Sequence, residues 1–220
     1  MKISTKKLAT LGILGALTIV VNLITVSFKI SIIPAVSWLT YDAKDVVIII
    51  SGFIYGPMSS FILSLVTSVV ELMYNTGSIP IIDLLMNVIS SCTLACTAAF
   101  IYKKFKSKQG AVIGLVAGVI LSTIAMVIWN IIVTPGYYNI PRKVVIDLLV
   151  PGFLPFNLIK SGLNASLVLL IYKPVITAFR ATTLVESNNE KVKYSTGLLL
   201  LGLFLSITII FIILVLNGTI

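Results

Sequence analysis

The stretch AVIGLVAGVILSTIAMVIWNIIV, residues 111–133, decides the fold class of this chain. It is apolar almost throughout, and its length suits the roughly 20 residues with which an α-helix crosses a bilayer core of about 30 Å. A transmembrane β-strand would instead alternate polar and apolar residues over about 10 positions. The stretch therefore predicts a transmembrane α-helix, in which backbone hydrogen bonds are satisfied within the helix.

Comparable apolar runs lie on both sides of this stretch, and the composition agrees with them. Of the 220 residues, 58% are hydrophobic and 10% are charged, and the mean hydropathy is +1.13, which is unlike soluble proteins. We predict an all-α polytopic membrane protein without a soluble domain. The predicted spans are 8–28, 46–55, 58–74, 81–102, 111–133, 153–171 and 196–216.

The basic residues predict the orientation of the chain. The net charge is +9, but Lys and Arg are scattered between the apolar runs, which does not favour nucleic-acid binding. Cytoplasmic loops of membrane proteins carry the excess of Lys and Arg, so we expect a cytoplasmic N-terminus and a location in the cell membrane. The first span is longer than the core of a signal peptide and predicts an uncleaved helix. The residues assigned to the cytoplasmic side are Lys2, Lys6, Lys7, Lys103, Lys104, Lys106, Lys108, Lys173, Arg180, Lys191 and Lys193.

The sixth span carries the most informative polar residues. Asn157, Lys160 and Asn164 are spaced at i, i+3 and i+7, which places them on one face of an α-helix. Polar residues within a membrane are costly and are therefore candidates for function. Two amides and one ammonium suit a neutral or weakly acidic heterocycle with carbonyl and ring N–H groups. The alternative is structural, with Lys160 reaching the interface and the amides bonding to neighbouring helices.

Further polar residues are predicted near the same outer end of the bundle. Asn130 lies near the outer end of the fifth span, before a longer loop predicted over residues 134–151. Asp83 and Asn87 lie near the outer end of the fourth span, and Glu71 lies near that of the third. These side chains either line one cavity or meet water at the headgroups, and the sequence leaves both interpretations open.

Small residues form a stripe on the first span. Ala9, Gly12 and Ala16 follow one another at i, i+3 and i+7, a spacing that allows a second helix to approach closely. Similar spacings occur in the fourth and fifth spans. The stripe therefore serves either packing inside the bundle or contact with a partner.

Missing residues weaken the case for several chemistries. The chain contains no His, so a triad with a His base is impossible, and a zinc or haem site has little to build on. No Walker A sequence occurs, so the chain has no P-loop for ATP. Cys92 and Cys96 lie in an apolar run and predict packing rather than ligation. We expect neither an enzyme nor a metal site or cofactor.

Three segments of the chain together resemble a known family. They are YDAKDV at 41–46 leading into GFIYGP at 52–57, WN at 129–130 followed by TPGYY at 134–138, and FNLIKSGLN at 156–164. Over residues 8–180 the chain resembles the riboflavin-type substrate-binding (S) components of energy-coupling factor (ECF) vitamin transporters. The resemblance implies a six-helix bundle that captures riboflavin from outside, with a membrane coupling protein and two ATPases as partners.

The resemblance also implies roles for individual residues, and riboflavin would be cargo rather than a cofactor. The expected substrate-binding residues, with Asn164 added for its spacing, are Leu39, Thr40, Tyr41, Asp42, Asn130, Asn157, Lys160 and Asn164. The partner interface is expected on the first helix at Ala9, Gly12 and Ala16. The family's usual motif there is Ala-x-x-x-Ala, whereas this chain has Gly12-x-x-x-Ala16, which leaves the docking register open.

The predicted organisation has three parts. Residues 1–180 form a six-transmembrane-helix substrate-binding domain, 181–195 a polar linker, and 196–220 an additional C-terminal transmembrane helix. We predict that this last helix faces lipid, and we assign it no function. Two alternatives stay open, namely an S component for another vitamin or precursor, and a membrane enzyme or scaffold without a small ligand.

Overall fold

The computed structural model describes residues 5–75, 77–181 and 196–218, and within them it confirms the all-α fold. Besides helices and turns, the described part contains one isolated antiparallel bridge, between Ser31 and Thr40. A 3₁₀ turn spans Pro34–Val36 and a π-helical turn spans Leu149–Phe153. The α-helices are α1 (Thr5–Ser27), α2 (Lys44–Tyr55), α3 (Pro57–Glu71), α4 (Pro80–Phe105), α5 (Lys108–Tyr138), α6 (Arg142–Asp147), α7 (Leu154–Ala181) and α8 (Thr196–Leu216).

Five stretches of the described chain are long and apolar enough to cross a membrane. They are α1, α4, α5, the continuous stretch Leu149–Phe179 that holds most of α7, and α8. The bounds of α8 coincide with the predicted span 196–216. Helix α3 is apolar but shorter. The long predicted spans therefore exist as helices, and the two short predicted spans correspond to α2 and α3.

Helix α2 lies in the interior of the bundle. All its residues from Lys44 to Phe53 are buried, and it packs against α1, α3, α4 and α7. With a rise of about 1.5 Å per residue it is too short to cross the membrane by itself. It ends at Gly56, whose φ of 93° suits glycine, and Pro57 then begins α3. Helices on several sides, rather than lipid, surround this short segment.

Helices α4 and α5 approach each other closely through small residues. A Cβ on Gly114 would lie 2.7 Å from the carbonyl oxygen of Ala98, and one on Gly118 would lie 2.6 Å from that of Leu94. Such small-residue contacts let backbones pack tightly in a membrane. The small-residue spacing of the fifth span therefore serves packing within the bundle.

The loop predicted over residues 134–151 is largely helical, so that prediction is wrong. Helix α5 continues through Pro135 to Tyr138, and only residues 139–141 separate it from α6. Proline removes one backbone donor, but membrane helices tolerate it because local side chains and neighbouring helices satisfy the freed group. The helix ends instead at Asn139, which has a left-handed φ of 54°.

Helix α8 packs on α7 instead of facing lipid on every side. Its buried residues are Gly202 and Ser206, and most of its other large side chains are exposed. The prediction of a lipid-facing span is therefore wrong for this one face and stays a prediction for the exposed surface. The linker predicted at 181–195 lies, beyond residue 181, outside the described residues.

Candidate functional site

One end of the bundle contains a cavity of about 250 Å³. Its walls come from the loop between α1 and α2 and from the ends of α3, α4, α5 and α7 that reach the same level. The lysines at the start of α1 and at the end of α4 lie at the opposite ends of those helices. The cavity and the most basic part of the chain are therefore separated by the length of the bundle.

Most of the predicted substrate-binding residues lie on the cavity wall. Glu71, Asp83 and Asn87, for which the sequence left two interpretations open, also line it. The structure thus brings together groups from four helices and one loop. The predicted substrate-binding residues on the wall are Leu39, Thr40, Asp42, Asn130, Asn157 and Lys160.

Tyr41 and Asn164, which were predicted as substrate contacts, lie behind the wall. The Tyr41 hydroxyl donates to Asn164 Oδ1 at 2.7 Å, and Asn164 Nδ2 donates to the carbonyl oxygen of Asp42 at 3.2 Å. Successive residues of an extended segment point to opposite sides, so Tyr41 turns into the core while Thr40 and Asp42 face the cavity. The pair therefore holds the backbone of Asp42 in position.

Asp42 and Lys160 form an ion pair in the wall. Lys160 Nζ lies 2.6 Å from Asp42 Oδ2, and the two side chains are 12% and 9% exposed. Burial by itself would raise the pKa of Asp42, but the positive charges of Lys160 and Lys44 outweigh it and hold this pKa below its usual value. Asp42 Oδ1 has no hydrogen-bond partner among the described residues. This carboxylate therefore remains ionised and can accept one further hydrogen bond.

A second ion pair, which sequence reasoning missed, supports the wall from inside the bundle. Lys44 Nζ lies 2.5 Å from Glu71 Oε2 and donates to Asn87 Oδ1 at 3.1 Å. Lys44 is 1% exposed, so its contacts with the cavity wall are made through these two lining residues, and its charge also acts on Asp42. The available signal was a lysine between two aspartates in YDAKD, at the start of a short apolar helix.

Asp83 connects two elements at the rim of the cavity. Its Oδ1 accepts a hydrogen bond from the Tyr137 hydroxyl at 2.7 Å, and its Oδ2 accepts one from the backbone N–H of Gly77 at 2.8 Å. The Tyr137 oxygen in turn accepts from the backbone N–H of Ser78 at 3.0 Å. These bonds fasten the turn between α3 and α4 to the end of α5.

Aromatic and thioether side chains form the apolar part of the wall. The rings of Trp38 and Tyr138 have centroids 5.9 Å apart, and Trp38 meets Phe153 edge-on at 6.4 Å. Flat apolar surfaces beside a few polar groups are typical of sites for planar heterocycles. Phe153 lies behind the wall, and the large apolar residues that line the cavity beside Trp38 and Tyr138 include Met86, Met126, Trp129 and Phe156.

The two wall amides are held by their own helices. Asn130 Nδ2 donates to the carbonyl oxygen of Met126 at 2.7 Å, and its Oδ1 accepts from the Thr134 hydroxyl at 2.8 Å. Asn157 Nδ2 donates to the carbonyl oxygen of Phe153 at 2.8 Å. An amide nitrogen has two hydrogens, so each side chain keeps a donor while its rotamer is fixed.

The small-residue stripe on α1 lies on the outside of the bundle. Ala9, Gly12 and Ala16 are exposed, and a Cβ on Gly12 would meet nothing within 4 Å. Gly15, in contrast, faces inward, where a Cβ would lie 3.2 Å from a side-chain carbon of Leu63. The stripe is therefore not used for packing among the described residues, and its role as a partner interface stays a prediction.

The fold and the cavity together define a class, the multi-pass membrane proteins with a site for a small molecule. Comparison with known families makes this specific, because the pattern for "ECF transporter, substrate-specific component" matches residues 6–172. The chain belongs to this family. Members of this family are substrate-specific components of transporters and not enzymes. The matched residues end before α8.

Individual proteins agree with the family. The riboflavin transporter RibU of Staphylococcus aureus is 28% identical over 177 residues, which cover 76% of this chain and 89% of that protein. The riboflavin transporter FmnP of Bacillus subtilis is 27% identical over 188 residues, or 80% and 96% of the two chains. A solved structure of the S component of a bacterial ECF transporter has a TM-score of 0.67 and 27% identity, and covers 80% of this chain and 98% of its own.

Proposed function

We propose that this chain captures riboflavin outside the cell as the substrate-binding component of an ECF transporter. The observation that carries the proposal is the cavity, in which the Asp42–Lys160 ion pair lies beside amides and flat aromatic rings. Two relatives that align over most of their length are riboflavin transporters. Site chemistry and relatives therefore support the same substrate.

The two halves of the wall suit the two kinds of surface on riboflavin. The pyrimidine edge of its isoalloxazine ring carries carbonyl groups and one N–H, which amide and ammonium donors and a carboxylate acceptor can satisfy. Asn130, Asn157, Lys160 and Asp42 offer these groups from α5, α7 and the α1–α2 loop. The apolar dimethylbenzene end suits the aromatic and thioether residues of the wall.

The charge distribution supports an outward-facing cavity. Lysines gather at the start of α1, at the end of α4 and at the start of α5, and such clusters mark the cytoplasmic side. The cavity lies at the other ends of these helices. The N-terminus would then be cytoplasmic, and riboflavin would enter from outside.

The energy for uptake would come from other proteins. The sequence contains no Walker A motif, so ATP hydrolysis would belong to two ATPase subunits joined to this chain by a membrane coupling protein. The exposed stripe of Ala9, Gly12 and Ala16 offers that protein a surface for close helix contact.

Flavin binding by the purified full-length protein tests the substrate directly. We expect riboflavin to bind at one molecule per chain with quenched fluorescence, and unrelated vitamins not to compete. Flavin mononucleotide should bind at least about tenfold more weakly, because Asp42, Glu71 and Asp83 give the wall more negative than positive charge and its phosphate adds about −1.5 to −2. Absence of riboflavin binding both in detergent and in membranes would reject the proposal.

Leucine on the α1 stripe tests the partner interface. We expect Gly12→Leu and Ala16→Leu to prevent co-purification with the ATPase-containing complex and to abolish most riboflavin uptake by cells, because the added side chains keep a partner helix at a distance. Riboflavin binding by the isolated protein should not change. Gly197→Leu is the control, since a Cβ there also meets nothing within 4 Å. Normal riboflavin uptake by both stripe variants would show that the partner interface lies elsewhere.

A further inference from the structure

The face of α8 that contacts α7 holds the two helices in one register. A Cβ on Gly202 would lie 3.0 Å from the carbonyl oxygen of Ser166, so the two backbones approach closely at this glycine. The hydroxyls of Ser206 and Ser166 are 2.8 Å apart and hydrogen-bonded. One turn earlier on α7, Gly162 faces Ile209. Small residues and one buried polar contact are the means by which membrane helices pack specifically.

The far end of α8 reaches the loop between α1 and α2. Ile209 and Ile213 pack against an apolar cluster that includes Ile32 of this loop. About one turn further, Asn217 Nδ2 lies 3.4 Å from the carbonyl oxygen of Ser31 and 3.3 Å from that of Ile32. Because these two contacts are long and Nδ2 also donates to the carbonyl oxygen of Ile213 at 2.9 Å, the apolar packing contributes the larger part of the contact.

The part of the loop that α8 contacts is hydrogen-bonded to the part of the same loop that lines the cavity. Ser31 forms the isolated antiparallel bridge with Thr40, and the backbone N–H of Tyr41 donates to the carbonyl oxygen of Ile30 at 2.9 Å. Thr40 and Asp42 line the cavity. The loop therefore has one edge against α8 and the other against the substrate site.

From these contacts we propose that α8 is a clamp that positions the α1–α2 loop against α7 and thereby retains the bound substrate. Helix α7 supplies Asn157 and Lys160 to one wall, and the loop supplies Thr40 and Asp42 to another. Holding both walls in place before binding reduces the ordering cost of binding. Helix α8 lies beyond the residues matched by the family pattern. The proposal rests on riboflavin as the substrate of this cavity.

The dissociation rate of riboflavin tests whether α8 retains the bound substrate. Full-length protein loaded with radiolabelled riboflavin is chased with an excess of unlabelled riboflavin. For the Ile213→Ala/Asn217→Ala variant and for Gly202→Leu, we expect dissociation about tenfold faster than in the wild type, since affinity changes among related complexes occur mostly in this rate. Gly197→Leu, the same substitution at an open position of α8, should leave the rate unchanged.

Hydrogen exchange distinguishes a local loosening of the α1–α2 loop from a general loss of stability. Without flavin, the Tyr41 amide should exchange faster in Ile213→Ala/Asn217→Ala, while amides of α4 and α5 keep wild-type rates. Faster exchange throughout the chain, or dissociation within about twofold of wild type in both variants, overturns the proposal. If wild-type protein binds no riboflavin, the proposed function fails, and Tyr41 exchange alone then decides whether α8 holds the loop.

Discussion

Replacing Lys160 by methionine is expected to weaken riboflavin binding by about 2 to 3 kcal/mol, or roughly 30- to 150-fold. The substitution keeps most of the side-chain volume but removes the charged donor from the cavity wall. It also leaves the carboxylate of Asp42, now 2.6 Å from the ammonium, without its partner, and a buried unpaired charge is costly. Fluorescence titration of the purified variant with riboflavin measures the change.

Two further variants show whether the loss is local. Lys173→Met makes the same substitution near the other end of α7, away from the cavity, and should leave riboflavin affinity unchanged. Asp42→Asn combined with Lys160→Met removes both charges, and it should recover thermal stability lost in Lys160→Met without recovering binding. Wild-type affinity in Lys160→Met would show that the ion pair does not contact the substrate.

Replacing Lys44 by methionine is expected to lower the free energy of unfolding by about 3 to 5 kcal/mol, the usual effect of removing one member of a buried ion pair. Lys44 and Glu71 are 1% and 2% exposed, so water cannot replace the lost ammonium. Asn87 loses a hydrogen bond from the same atom. Thermal unfolding in detergent, followed by tryptophan fluorescence, should show a lower transition temperature.

The double variant Lys44→Met/Glu71→Gln tests whether the unpaired carboxylate of Glu71 causes the loss of stability. Neutral glutamine is far cheaper to bury than an unpaired carboxylate, so we expect part of the lost stability to return. The remainder stays lost because the Lys44 charge also favours the ionised form of Asp42. Lys103→Met, at an exposed position near the end of α4, should have almost no effect. Equal stability of Lys44→Met and wild type would mean that the pair contributes nothing measurable.

The site could be predicted in part because its polar residues lie in apolar surroundings. Asn157 and Lys160 stand out in a transmembrane span, since burying such groups in a membrane is costly unless they serve a purpose. Their spacing correctly placed both on one helical face. The same reasoning included Asn164, yet one more turn along α7 takes this residue behind the wall, where it bonds to Tyr41 and Asp42.

The sequence failed where local signals compete with the environment. A loop was predicted from residue 134, but α5 continues past Pro135 to Tyr138, because the bundle compensates for one missing backbone donor. The uniformly apolar α8 suggested contact with lipid alone. Its packing on α7 depends on Gly202 and Ser206, two small residues that lower its hydropathy too little to be noticed.

Sequence by itself determined the all-α membrane fold, the long spans and their order, because unbroken apolar runs in a bilayer must form helices to satisfy their backbone. Only the tertiary structure decided which charges meet. Asp42 and Lys160 are 118 residues apart, and Lys44 and Glu71 belong to different helices. Periodicity reports which face of its own helix a residue occupies, whereas its partner depends on how that helix is rotated against the others.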